Sequence, residues 1–418
     1  MMRILSGAAG TLAIAALSAG AVSANPVVSQ KYCALEGFGP SLRQTMLIID
    51  GRLVRPEDKP GPNSPNAAWR RSVAALIDPL DPSVGQRLAP RERVTVAIAE
   101  RDGSGLRAIF VGCVPILSAD EKTQVREKGQ TAVDVFFGAD LASRLKKAAE
   151  DYRRKLVLAM VEATSGSGED GDPAEPAPFT ESGLLASMAN GPVLSHEHGI
   201  PRYVVFAEFS GYELPRSDIV AARSRGRRIA EDVGLDLKRA EVHLVGLNVS
   251  KSSPGGHFLD ALLLRGNGKL ESAVGKNGTI ASLPAPKSVE VYHGIVTYPD
   301  GDYPMRMRLA VDQNGTAINS WVEVQSDLRR TTPFGGLLTC EDNRCSFVGD
   351  RIFAQIWSDD PDAEAEFENW MPFAGFRELR FTLRDGQIEG VILDSQGYVP
   401  GLEDGLPLRL QHVENGLF

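Results

Sequence analysis

The chain has 418 residues, a length that accommodates two to three domains. Apolar residues make up 43% and charged residues 24%, ordinary values for a folded globular protein, so collagen-like, low-complexity and wholly disordered chains are excluded. Lys and Arg total 45 against 54 Asp and Glu, and the resulting net charge of −9 disfavours non-specific nucleic-acid binding; four Cys are too few for a disulfide scaffold.

The first 24 residues read as a Sec-type export signal. Met1-Met2-Arg3 is a short basic start, Ile4 to Ala21 carries no charge, and Val22-Ser23-Ala24 puts small residues before a cleavage point at Asn25. No later stretch approaches the ~18 uninterrupted apolar residues of a membrane helix. The expectation is an exported protein, periplasmic or secreted, with no transmembrane segment after cleavage. An oxidising compartment then makes two disulfides of the four Cys. Thr339 to Ser346 looks like two strand ends around a polar turn, which pairs Cys340 with Cys345. Cys33 and Cys113 remain, either as a second bridge or as separate buried thiols.

In the mature chain, Thr45-Met46-Leu47-Ile48-Ile49-Asp50 reads as a buried parallel strand ending in an acid. A Pro/Gly-rich loop follows. Trp69, Val73, Leu76, Ile77 and Leu80 then share one helical face, ended by Pro79 and Pro82. Arg93 to Ala99 and Leu106 to Val114 are strands joined by a turn, and Leu141 to Thr164 is a long charged helix. Ser165 to Pro178 is a polar loop, and Glu181 to Met188 a further helix. Arg202 to Glu208 is a strand, Arg216 to Val233 a helix with a basic outer face, Glu241 to Asn248 a strand, and Phe258 to Leu264 begins a helix. Strands alternating with helices predict an α/β domain over 25–284 with a doubly wound, mostly parallel sheet.

After about residue 285 the pattern becomes short strands. Asn314-Gly315 and Asp385-Gly386 are hairpin signals. Met305, Met307, Leu309 and Val311 alternate with Arg306, Arg308 and Ala310, and Ile318, Val322 and Val324 lie on one parity with Trp321 on the other. This predicts a mainly antiparallel β domain over 285–418 with one wet face, either a barrel or a sandwich. Asp359 to Glu368 reads as an acidic insertion.

The strand at Leu47-Ile48-Ile49-Asp50, the helix at Ala67 to Leu80 and the strands at Val94 to Ala99, Val204 to Glu208 and Val242 to Asn248 resemble the von Willebrand factor type A domain, over residues 40–270 and most nearly its divergent bacterial members. The resemblance implies that fold and a metal site built from an Asp-x-Ser-x-Ser motif, a Thr and a later Asp. Here Asp50-Gly51-Arg52-Leu53-Val54 keeps only the Asp, Arg52 and Val54 replace both Ser, and Glu208 stands where the later Asp belongs. Hard cations require several oxygen ligands, so the site is degenerate, and no tight metal and no cofactor is expected. Asp50 is then a salt-bridged remnant or a polar strand end capping the next loop. Ligands of open α/β sheets bind beyond the carboxyl ends of the strands, which makes Asp50, Arg52, Glu208, Ser252 and Ser253 the candidate rim.

Other signals are weaker. His196-Glu197-His198 falls short of a zinc set, no nucleophile elbow or phosphate loop occurs, and Arg216, Arg223, Arg225, Arg227 and Arg228 form a basic cluster in an acidic chain. The expected function is an exported, non-catalytic protein-interaction module with another cell-envelope protein as partner and no nucleic acid. The alternative is a hydrolase or a small-ligand (lipid or glycan) binding protein with its site in the β domain, where His293, Tyr298 and Asp300 are candidates.

Overall fold

The computed structural model describes residues 25–413 except 34–37, 58–60, 62, 82, 84–86, 129–140, 166–182, 192–193, 195–198, 208–213, 248, 251, 276–282, 326–328, 353–354, 358–375 and 395–404. The export signal, Glu208, His196–His198, the loop from Gly166 to Pro178 and the acidic insertion therefore lie outside the described residues. No described helix is long and apolar enough to cross a membrane.

Seven strands form the first sheet. They are β1 (Val27–Ser29), β2 (Arg43–Asp50), β3 (Arg93–Ala99), β4 (Leu106–Cys113), β5 (Ile200–Phe206), β6 (Ala240–Val245) and β7 (Gly268–Val274), in the spatial order β1-β4-β3-β2-β5-β6-β7. Every neighbouring pair is parallel except β3 and β4, which form a hairpin. The central strand β2 is buried along its whole length. Leu47, Ile48 and Ile49 are fully buried, and each contributes about 1.5–3 kcal/mol of apolar burial.

Because side chains alternate, the strand's two faces feed two separate cores. Leu47, Ile49, Val204 and Phe206 pack under α1 (Ala67–Ile77) and α3 (Leu141–Glu162) with Trp69, Val73, Tyr152 and Leu156. Met46, Ile48, Tyr203 and Val205 pack under α4 (Gly183–Asn190), α5 (Ile219–Asp232) and α6 (Pro254–Arg265). A polar helix, α2 (Ala119–Lys128), follows β4. α1 stops where Asp78, preceding Pro79, turns extended. α6 starts with Ser253 as N-cap and Pro254 in its first turn. α5 and α6 meet closely at Gly226, where a Cβ would lie 2.3 Å from the Phe258 carbonyl oxygen.

The second domain is a closed antiparallel barrel. β8 (Ser288–Tyr298), β9 (Gly301–Val311), β10 (Thr316–Val324), β11 (Arg329–Glu341), β12 (Arg344–Ile352), β14 (Phe376–Arg384), β15 (Gln387–Asp394) and β16 (Leu406–His412) pair in chain order, and β16 returns to β8. A three-residue strand, β13 (Gln355–Trp357), adds to β11. Closure removes the exposed edges of an open sheet. Tyr292, Met305, Met307, Phe334, Phe347, Phe381 and Ile388 fill the interior. The Asp385-Gly386 turn has positive φ at both residues (49° and 74°), the two-residue hairpin geometry that the sequence signals.

Both disulfides are formed. Cys33–Cys113 ties the segment after β1 to the end of β4, and Cys340–Cys345 joins directly opposed residues of β11 and β12 around a two-residue loop. These bridges, and an α/β domain followed by a β domain, match the sequence expectation.

One expectation needs correction. The outer face of β8–β10 is wet only in part: Asp302 and Pro304 are exposed, but the stretch around Arg308 and Trp321 is not. Trp321 is fully buried, as are Arg308, Glu323 and Ala310, because the α/β domain covers this part of the barrel. A bulge in β10 between Ala317 and Ser320, with Asn319 at φ 47°, sets Asn319 and Trp321 toward that domain.

Candidate functional site

The carboxyl ends of β2, β5 and β6 form one rim of the sheet, with the starts of α5 and α6 above it. Asp50 ends β2. Its buried carboxylate accepts the Arg52 backbone N–H at 3.0 Å and caps the short 3-10 turn Gly51–Leu53. Gly51 must be glycine, because a Cβ would lie 2.4 Å from the Ala99 carbonyl oxygen. Arg101 holds the turn from outside, donating to the carbonyls of Gly51 and Val54 at 3.0 Å each. The Arg52 side chain is half-buried at the rim.

Ser252 and Ser253 stand beyond β6. Ser253 accepts the Gly256 N–H at 3.1 Å as the α6 cap and donates to the Ser250 carbonyl at 2.7 Å. Ser252 is exposed, its hydroxyl 2.8 Å from that of Ser250. The Asp50/Arg52 pair and the serine pair share the rim but stand on strands separated by β5. Among the described residues no three His, Cys, Asp or Glu side chains gather as a metal site would require.

The opposite end of the sheet holds a set of residues not singled out from the sequence. There the face that packs α1 and α3 turns from apolar to charged. Glu92, just before β3, is fully buried. It accepts from Arg202 at 2.8 Å, Arg43 at 3.3 Å, the Ala89 N–H at 2.6 Å and the Thr45 hydroxyl. Arg43 also donates to the carbonyls of Leu283 and Pro284, which binds the interdomain segment to this end. Glu241 lies 3.7 Å from Arg202 and 3.8 Å from Arg43, with His243 at 3.5 Å; the other His243 nitrogen is 2.8 Å from the Ser272 hydroxyl.

The barrel continues this set. Arg308 donates to the Arg239 carbonyl at 2.7 Å and to both oxygens of Asn319. Arg239 pairs with Glu323 at 2.7 Å. Asn319 donates to the Pro201 carbonyl and accepts from the Trp321 indole at 2.7 Å. Lys238 and Arg239 both adopt positive φ (52° and 56°), a costly left-handed pair at the domain contact.

Burial lowers the Arg202 pKa to about 10, with the Arg43 charge adding to the shift; burial and then the Arg239 charge lower that of Arg308 to about 9. Both remain cations at neutral pH. Burial opposes ionisation of Glu241, but its hydrogen bond to His243 and the Arg43 and Arg202 charges outweigh that and hold it at about 2. Polar and charged residues at the amino starts of otherwise apolar strands, Arg43 and Thr45, Arg202, Glu241 and His243, are the signal in the sequence.

The remaining candidates separate. His293 lies on β8 opposite Arg306 and Gln411, five residues and about 17 Å along the strand from Tyr298. Asp300 accepts from the Tyr303 hydroxyl at 2.8 Å. Burial and the nearby Arg306 lower the His293 pKa. These three do not converge as a hydrolase site would. An open groove of about 790 Å³ lies on the barrel exterior, lined by Glu341, Arg344, Arg380, Arg384 and Glu389 among others. The sequence matches no protein-family model and no curated protein.

Proposed function

We propose that this chain is an exported, non-catalytic protein-interaction module that binds a cell-envelope partner through the carboxyl-terminal rim of its α/β sheet. The observation that carries this reading is the asymmetry of the sheet. The barrel and the interdomain segment cover the amino end through buried polar contacts, while the carboxyl rim retains the half-buried Arg52 and the exposed Ser252. The mostly parallel sheet with helices on both faces supports the type A resemblance, and the rim is where such sheets bind.

Partner binding is independent of divalent metal. Asp50 is buried against its own turn, and Arg52 and Val54 offer no side-chain oxygen. The test is capture from an envelope extract with the full chain as bait, with and without EDTA, alongside Arg52→Glu and Ser252→Arg variants. A partner retained in EDTA and lost with the rim variants is expected. No reproducible partner, retention by both variants, or saturable Mg²⁺ binding below roughly millimolar that disappears in Asp50→Ala, overturns the reading.

A further inference from the structure

Among the described residues, large apolar side chains that reach the surface are few, and Val220 is the most exposed of them at 63%, with Ile219 beside it at 42%. Both lie in the first turn of α5, above the sheet rim. Val220, Ser224 and Arg228 recur every four residues and so share one face of the helix. Arg223 and Arg227 flank that face, and Arg216 precedes it; Arg216 and Arg228 are exposed. Two acids of this region are engaged elsewhere, and a third, Asp232, is exposed one turn beyond Arg228, away from the aliphatic pair. Asp218 caps the helix by accepting the Ala221 N–H at 3.1 Å, and Glu231 pairs with Arg265. The result is an aliphatic tip with exposed arginines on either side of it along the chain, Arg216 and Arg228, on a chain of net charge −9.

We propose that the start of α5 docks on an anionic phospholipid bilayer, Ile219 and Val220 entering the headgroup layer while the exposed Arg216 and Arg228 lie against lipid phosphates. This goes beyond the partner-binding reading and does not depend on it. Surface-lying amphipathic helices bind through apolar area together with attraction to anionic lipid. The aliphatic pair projects outward, a shape that a headgroup layer accepts, whereas an acidic polypeptide would engage the cations and gain little from Val220. Each cation near such a surface strengthens binding about five-fold.

The test is flotation of the full chain with vesicles of phosphatidylethanolamine and phosphatidylglycerol, against phosphatidylcholine vesicles. Binding to the anionic vesicles, weakened by salt, is expected. It should fall more than about ten-fold in Val220→Asp and in the double variant Arg216→Glu/Arg228→Glu, at the five-fold per cation given above. Val348→Asp, at an aliphatic on the barrel that is 52% exposed, should bind like the parent, and circular dichroism melts verify that each variant is folded. Equal binding to both vesicle types, no binding, unaffected α5 variants, or capture by polyglutamate as strong as by vesicles would overturn the proposal.

Discussion

The two ends of the α/β sheet handle their polar groups in opposite ways. At the carboxyl rim the side chains of Asp50 and Ser253 bond locally, to the N–H two residues on and to that of Gly256, while the exposed Arg101 reaches back 50 and 47 residues to the backbone carbonyls of Gly51 and Val54. At the amino end the side-chain partners are remote in sequence. Arg43 reaches Glu92 across 49 residues, Arg202 reaches Glu92 across 110, and Asn319 reaches Pro201 across 118. Local capping leaves a surface free to meet a ligand. Remote pairing consumes the surface, because those groups can be desolvated only when the whole chain supplies their partners. The same strands therefore end in an uncovered rim on one side and a structural joint on the other.

The largest effect should come from Glu92→Ala. It leaves two buried guanidinium groups without their shared carboxylate, which puts the loss at the upper end of about 3–5 kcal/mol. Urea denaturation of the full chain measures it, and an unshifted midpoint would remove the distinction between the two ends. Next is the Cys33–Cys113 bridge, whose Cys113 lies opposite Arg93 at the sealed end. With a sequence separation of 80, its removal by paired Ala substitution should cost about 4 kcal/mol; the same change at Cys340 and Cys345, separated by 5, should cost about 2 kcal/mol. Melting of the two double variants ranks them, and the reverse order would contradict the chain-entropy account.

Acid should loosen the sealed end before the rim. Glu241 titrates at about 2 when folded against its ordinary 4.5. The unfolded chain thus binds the proton more readily, and stability present above about pH 4.5 is lost as pH falls toward 2, by up to about 3 kcal/mol. Glu241→Gln should flatten the stability–pH curve across that window. A slope identical to the parent's would show that Glu241 does not carry the pH dependence. The smallest effect is expected at the rim, where Asp50→Ala removes one local cap and costs about 1 kcal/mol. A loss of several kcal/mol there, read from the same urea curves, would mean that the rim too is a structural joint.

Much of the fold was legible. The apolar run 46–49, the alternation in 305–311 and the Asp385-Gly386 turn each carry their structural period in the residues themselves, and β2, β9 and the β14–β15 hairpin follow. β1, β7 and α2 escaped notice. β1 is three residues long, β7 carries charge within its pattern, and α2 is polar throughout. Trp321 illustrates the deeper limit. Its parity was read from alternation, but alternation distinguishes the two faces of a strand without saying what covers each.

The sequence alone determined the order of the main elements, the change from parallel α/β to antiparallel β, and the absence of side-chain oxygens at positions 52 and 54. These depend on side-chain period, turn residues and residue identity, all of which act over a few positions. Only the tertiary structure decided that the β domain closes by pairing β16 with β8, and that Trp321 and Arg308 lie under the neighbouring domain. It alone gathered Arg43, Glu92, Arg202 and Glu241 at one end of the sheet. Those outcomes rest on contacts between residues far apart in the chain, and a buried charge is tolerable only once the fold has brought its counter-charge within reach.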